Sequence, residues 1–244
     1  MTTFVLVPGA FLGAWAWSEV AASLTAAGHD VRPVTLTGLA ERADEAPAAQ
    51  IGLSTHVDDV LRVLREADLH DVTLVVHSYA GAVGGVVADR APDRLARVIY
   101  LATGPLAPGQ SLFERIGPEA EQQMRAVAAA SGDPDRLPVI TDELLDLLYP
   151  EHAMTGDVLA RFRASATPHP LGTYAEKTDL AGAGGAVPGA LVWCRGDGPL
   201  PASPAADGPT VRQIPTVRQI PTGHWPMLTH PDLLAQTLLA LATG

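Results

Sequence analysis

Three side chains in this sequence could together break an acyl bond: Ser78, Asp197 and His224. Acyl transfer by serine needs a base for the hydroxyl proton, an acid to orient that base, and amide N–H donors for the developing oxyanion. Serine, acid and histidine follow one another along the chain in that order. Ser78 lies in VVHSYAG, Val75 to Gly81, where an apolar run meets a stretch of small residues. That is the setting of a nucleophile elbow, a sharp strand-to-helix turn whose usual form is Gly-x-Ser-x-Gly. Neither glycine is present, since Val76 stands two before the serine and Ala80 two after it. A serine in this position also suits a helix N-cap. Asp197 sits in RGDGP, an ordinary turn sequence, with Asp179 and Asp207 as rival acids. His224 stands in a loop between Gly223 and Trp225. His77 is expected to point away from the Ser78 hydroxyl, because side chains alternate along a strand. The candidate oxyanion donors are the backbone N–H groups of Ala10, just after Pro8-Gly9, and of Tyr79, the residue after the serine.

These residues can meet only if the elements around them form a sheet. Phe4 to Val7, Val31 to Leu36, Val72 to Val76, Arg97 to Ala102 and Ala190 to Arg195 read as strands. Val72 to Val76 is rich in β-branched residues, as a central parallel strand requires. Helical spacing marks Ala14 to Ala27, Thr55 to Leu69, Tyr79 to Arg90 and Pro231 to Ala242. Strand and helix alternate, which implies βαβ units. Gly104 to Val187 breaks the rhythm with helical pieces at Glu119 to Ala130, Asp142 to Tyr149 and Asp157 to Ala164. The expected fold is α/β: a mostly parallel central sheet flanked by helices over 1–104 and 188–244, with a helical cap over 105–187. On this plan all three side chains stand at carboxyl ends of strands, where open α/β sheets bind ligands.

The motif TVRQIP occurs twice, at Thr210 to Pro215 and Thr216 to Pro221. Two hexamers do not make a repeat fold. Val217 to Ile220, next to the histidine, is expected to be the last strand, with the other copy as an extended loop. The preceding GPLPASPAADGP is expected to be mobile.

Val76 puts bulk where the elbow usually has none, and overpacking costs about 1–3 kcal/mol unless a neighbour yields. The next helix offers two rows of small residues: Ala80, Gly84 and Ala88, and Gly81 and Gly85. Both rows are expected to face the sheet, with Val76 filling the space that larger helix residues would take.

Composition narrows the partners. The chain has 244 residues, 47% of them hydrophobic, which is enough for a large core. Its net charge of −11 includes no basic cluster, which argues against nucleic acid and anionic membrane surfaces. Cys194 is the only cysteine, so no intrachain disulfide and no cysteine-rich zinc site can form. The N-terminal apolar run lacks a positive flank and reads as a strand, which places the protein in the cytoplasm. The oligomeric state stays open, a homodimer among the options.

FVLVPGAFLGAWAW resembles the opening of the α/β-hydrolase branch that contains plant methylesterases, hydroxynitrile lyases and their bacterial esterase-like relatives. TLTGLAERADEA, IGLSTHVDDV, LVVHSYAGAV, LVWCRGD and PTGHWPML are similar to further segments of that branch. The resemblance implies the α/β-hydrolase fold, Ser78, His224 and Asp197 as the triad, and no cofactor or metal. It also carries departures. The branch often has histidine where Pro8 stands. Its cyanohydrin-cleaving members have threonine at the position of Gly9 and lysine at that of Trp225. Without that hydroxyl and that cation, ester or thioester hydrolysis is expected over the lyase reaction.

Phe11, Leu12, Leu106 and Phe113 are candidates to line the pocket, as are Phe162, Tyr174 and Trp225. They imply a small to medium apolar ester, and no arginine or lysine is evidently placed for a substrate carboxylate. Two alternatives keep the fold: a lyase or decarboxylase-like enzyme with His224 as general base, and a non-enzymatic binder of small molecules.

Overall fold

A computed structural model describes residues 1–200 and 216–242 of the chain. Asp207, the first TVRQIP copy and most of GPLPASPAADGP lie outside the described residues.

The strands are β1 (Thr3–Val7), β2 (Asp30–Pro33), β3 (Val72–His77), β4 (Leu95–Leu101), β5 (Arg136–Leu137), β6 (His169–Pro170), β7 (Gly189–Cys194) and β8 (Thr216–Ile220). Six of them form one sheet in the order β2-β1-β3-β4-β7-β8, and every neighbouring pair is parallel. The chain runs outward from β1 to β2, then returns to build β3, β4, β7 and β8 on the other side. The switch point therefore lies between β1 and β3, where Val7 is in register with Val76. Pro8-Gly9-Ala10 and Ser78 leave the sheet side by side there, which is the crevice such sheets use for ligands.

β2 is shorter than the expected Val31 to Leu36. Pro33 is already in register with Leu6, and the Val34 N–H makes one further bond to the Leu6 carbonyl. β1 ends at Val7, so Thr35 and Leu36 have no partner strand. The second TVRQIP copy forms β8, in register with β7 from Ala190↔Thr216 to Cys194↔Ile220.

The helices are α1 (Ser18–Ala26), α2 (Leu53–Glu66), α3 (Ala80–Arg90), α4 (Leu112–Ile116), α5 (Pro118–Ser131), α6 (Asp142–Leu148), α7 (Gly156–Ser165), α8 (Gly172–Ala175), α9 (Pro226–Thr229) and α10 (Pro231–Ala242). Five of them, α4 to α8, lie between β4 and β7. Alternation along the strands splits the core in two. Val5, Val7, Leu74 and Val76 pack with Val57, Val60, Val83 and Val87 of α2 and α3. Phe4, Leu6, Val75 and Ile99 pack with Val20, Leu24, Leu234 and Leu238 of α1 and α10. β3 is buried along its whole length, which is why its sequence is an unbroken apolar run apart from Thr73 and His77.

The Val76 question is answered at Gly84. A Cβ there would stand 2.8 and 2.9 Å from the two Val76 methyls. The second glycine row does not face the sheet as expected. A Cβ on Gly81 would meet Thr103 Oγ1 at 2.5 Å, and one on Gly85 would meet Pro105 Cβ at 3.0 Å, so this row packs on the segment leaving β4. Gly84→Ala is expected to destabilise the protein by about 1–3 kcal/mol through this clash, despite the better helix propensity of alanine. Val76→Ala added to it should recover much of the loss, because the two side chains contest one volume. Urea unfolding of the single and double variants measures this. Strictly additive losses would refute the repacked turn.

Candidate active site

Ser78 stands between β3 and α3 with φ at 51°, in the left-handed region. A non-glycine residue held there costs of order 1–3 kcal/mol and persists only where its surroundings enforce it. Here the Ser78 N–H donates to the Leu101 carbonyl of β4 at 3.0 Å, and the Ser78 carbonyl accepts from Gly81 N–H at 2.9 Å. Ser78 does not cap the helix: the cap position falls on Tyr79, and no side chain caps α3. Its hydroxyl instead meets His224 Nε2 at 2.9 Å.

His224 lies in the loop between β8 and α9. Its Nδ1 is 2.9 Å from Asp197 Oδ2. A carboxylate only accepts, so Nδ1 carries the proton and Nε2 presents its lone pair to the serine O–H. Asp197 closes a single 3₁₀ turn, Arg195–Asp197, directly after β7. The Gly196 N–H donates to the Thr222 carbonyl at 3.0 Å, which ties the acid's loop to the histidine's. Gly196 allows this approach, since a Cβ there would fall 2.9 Å from Gly223 Cα and 3.1 Å from the Thr222 carbonyl oxygen. Asp197 Oδ1 is buried without a hydrogen-bond partner among the described residues, so Oδ2 makes the carboxylate's bond to protein. The rival Asp179 is exposed.

His77 does more than alternation suggested. Its ring does not bond the serine, but its Nε2–H donates to the His224 carbonyl at 2.8 Å, with the two rings 5.0 Å apart. It supports the histidine loop from inside the sheet. Its Nδ1 lies against Gly9, where a Cβ would come within 2.7 Å of it. Tyr149, at the end of α6, packs on both His224 and Trp225, with ring centroids 4.8 and 4.7 Å away.

Above these groups opens a cleft of about 740 Å³. Of the expected residues, Ala10, Phe11, Tyr79, Leu106, Tyr174 and Trp225 line it. Among the described residues, the loop and turn hydrogen bonds engage neither the Ala10 nor the Tyr79 N–H. Leu12, Phe113 and Phe162 do not line the cleft. They are buried in the core, where Phe113 packs on Tyr174 and Phe162 on Trp225, so they back the wall rather than form it. The wall itself comes largely from aliphatic residues of the segment between β4 and β7 that sequence reading passed over, including Met124, Val127, Ile140, Leu144 and Leu148. The signal was present in DELLDLL: a helix this short buries one leucine, Leu145, and has more leucines than its buried face needs. Arg115 also lines the cleft. Its Nη1 donates to the Gly104 and Pro105 carbonyls at 2.9 and 3.0 Å. Among the described residues no group of three or more His, Cys, Asp or Glu is placed to hold a metal ion.

Two more buried histidines join His77. His56, His77 and His169 are at most 1% exposed. Burial holds all three imidazoles below their usual range, His56 to about 4 against 6.5 when free. The free imidazole binds its proton first as pH falls, so stability is full above pH 6.5 and declines from there toward pH 4. For His56 alone the loss is about 3 kcal/mol. The urea midpoint should therefore drop steeply between pH 6.5 and 4. A midpoint flat from pH 7 to 5 would refute this account.

Comparison with known proteins places the chain among relatives. The alpha/beta hydrolase family model matches residues 4–237. A carbendazim-hydrolysing esterase of Nocardioides sp. (strain SG-4G) is 34% identical, over 99% of this chain and 100% of its own. Methylesterase 7 of Arabidopsis thaliana is 30% identical over 54% of this chain and 52% of its own. An extracellular alpha/beta-hydrolase from a Paenibacillus species, described as sharing structural and functional homology with tobacco salicylic acid binding protein 2, has a TM-score of 0.80 at 25% identity, over 99% of both chains. No helix among the described residues is long and apolar enough to cross a membrane.

Proposed function

The chain belongs to the alpha/beta hydrolase family, and on that premise we propose that it is a cofactor-free serine esterase for small to medium apolar esters or thioesters. The ester bond as target rests on the full-length likeness to an esterase, at 34% identity. The observation that carries the mechanism is the unbroken pair of hydrogen bonds, Ser78 Oγ to His224 Nε2 and His224 Nδ1 to Asp197 Oδ2, each 2.9 Å.

In this reading His224 Nε2 takes the Ser78 proton as Oγ attacks the ester carbonyl. The carbonyl electron pair moves onto oxygen, which the Ala10 and Tyr79 N–H groups receive. Collapse expels the alcohol, protonated by His224, and leaves an acyl group on Ser78. Water, deprotonated by the same nitrogen, then attacks the acyl carbon and frees the acid. Asp197 holds the imidazole in the productive tautomer and stabilises the imidazolium. Residues 105–187 act as the cap and bring the aliphatic wall, which suits an apolar acyl or alcohol group. The cleft volume of about 740 Å³ falls within the usual range for ligand sites. Hydrolysis is favoured over a lyase reaction because Gly9 and Trp225 supply neither the hydroxyl nor the cation that would receive a departing cyanide.

Nitrophenyl esters of increasing acyl length test this. The expected result is a burst of nitrophenolate, an acyl adduct on Ser78 by mass spectrometry, and a rise in kcat/KM from acetate to longer chains. Cyanide release from cyanohydrins, or decarboxylation of β-keto acids, without ester turnover would overturn it.

A further inference from the structure

His169 is fully buried in β6, within the segment between β4 and β7, and contacts both loops proposed to donate to the oxyanion. Its Nε2 lies 2.9 Å from Thr173 Oγ1, and the Thr173 hydroxyl donates its own proton to the Pro170 carbonyl at 2.7 Å. That hydroxyl can therefore only accept from the histidine, which puts the ring proton on Nε2 and leaves a lone pair on Nδ1. The Phe11 N–H donates to this Nδ1 at 3.3 Å. The Phe11 carbonyl accepts from the Thr167 N–H at 2.9 Å, so two residues of one cap strand and its approach grip Phe11 from both sides. Phe11 needs a grip: its φ is 70°, a left-handed conformation uncommon for a bulky residue. It directly follows Ala10.

The same imidazole lies edge-on to the Tyr79 ring, with centroids 4.6 Å apart. Tyr79 is fixed at its far end, where its O–H donates to His56 Nδ1 at 2.9 Å while His56 Nε2–H donates to the Thr37 carbonyl at 2.8 Å. Burial keeps both histidines neutral, as this donor and acceptor pattern demands.

We infer that His169 is a positioning residue that couples the cap to the oxyanion hole, holding the Ala10–Phe11 turn through its Nδ1 and Tyr79 through its ring. The inference rests on the esterase reading above, with Ala10 and Tyr79 as donors. Oxyanion donors act only at the correct distance, and losing one costs about 10²–10³-fold in kcat. Displacing one should cost somewhat less.

The test compares wild type with His169→Leu and His169→Gln on a nitrophenyl ester. Inhibition by an alkyl trifluoromethyl ketone, whose adduct with Ser78 carries an oxyanion, is measured beside binding of the matching alcohol, which has none. Leucine removes the acceptor. His169→Leu should lower kcat by about 10–100-fold and weaken the ketone in parallel, with KM and alcohol affinity within about threefold of wild type. Glutamine can accept from Phe11 N–H and donate to Thr173, so His169→Gln should restore most of the loss. If His169→Leu does not fold, Thr173→Val replaces it: without its acceptor the ring proton can move to Nδ1 and oppose the Phe11 N–H, giving the same selective fall in kcat. Wild-type kcat in His169→Leu, or in Thr173→Val where it stands in, overturns the inference, as does an equal loss of ketone and alcohol affinity. Wild-type protein that neither turns over ester nor binds the ketone overturns the esterase reading as well.

Discussion

Ser78→Ala is expected to lower kcat/KM for a nitrophenyl ester by about 10⁴–10⁶-fold and to abolish covalent labelling by a fluorophosphonate. The size follows from what the hydroxyl does. Without Oγ there is no acyl-enzyme, and the only catalysis left is whatever the amide donors and the cleft give to direct attack by water. The variant should fold as the wild type does. Alanine meets nearly the same backbone restriction as serine at a φ of 51°, and the two bonds that hold the turn, to Leu101 and Gly81, are backbone bonds that it keeps. A normal urea midpoint beside lost turnover would therefore isolate the chemistry. Turnover or labelling at wild-type level in Ser78→Ala would place the nucleophile elsewhere.

Asp197→Asn should cost nearly as much, of order 10⁴-fold in kcat near neutral pH. The asparagine side chain is close in shape, so packing against the Arg195–Asp197 turn survives. Its amide can donate to His224 Nδ1, where the carboxylate could only accept. That fixes the ring proton on Nε2, facing the serine, and the base can no longer take the hydroxyl proton. The imidazolium also loses its counter-charge. This charge matters here because Oδ1 has no hydrogen-bond donor among the described residues to share it. KM should change little, since Asp197 does not line the cleft. A change of less than tenfold in kcat would mean that His224 does not depend on Asp197 for its tautomer.

Much of the architecture is legible in the sequence. Buried parallel strands must be apolar along their length, and β3 announces itself for that reason. Strand ends are marked by local chemistry, as Pro8-Gly9 ends β1. The sequence is silent where a limit is set by a partner rather than by the segment itself. β2 stops early because β1 stops, and nothing in Val34 to Leu36 encodes that. The choice of TVRQIP copy was legible only through its neighbour His224.

The site divides in the same way. Chain order and strand ends, both properties of the sequence, determined that a serine, an acid and a histidine would reach one edge of a parallel sheet. They also determined that something had to yield to Val76, because two branched methyls beside a helix leave no room for a Cβ on it. Only the tertiary structure decided which glycine yields, Gly84, and that Gly81 and Gly85 serve a different contact. Only it separated the wall of the cleft from its backing, since Leu106 and Phe113 are equally apolar and differ in which way the fold turns them. The roles of His56, His77 and His169 belong to this second kind. Each depends on a hydrogen bond to a distant segment, such as His77 to the His224 carbonyl, 147 residues away along the chain. Periodicity reports the side of an element that is buried, but the direction of a lone pair is set by whatever the fold brings opposite it.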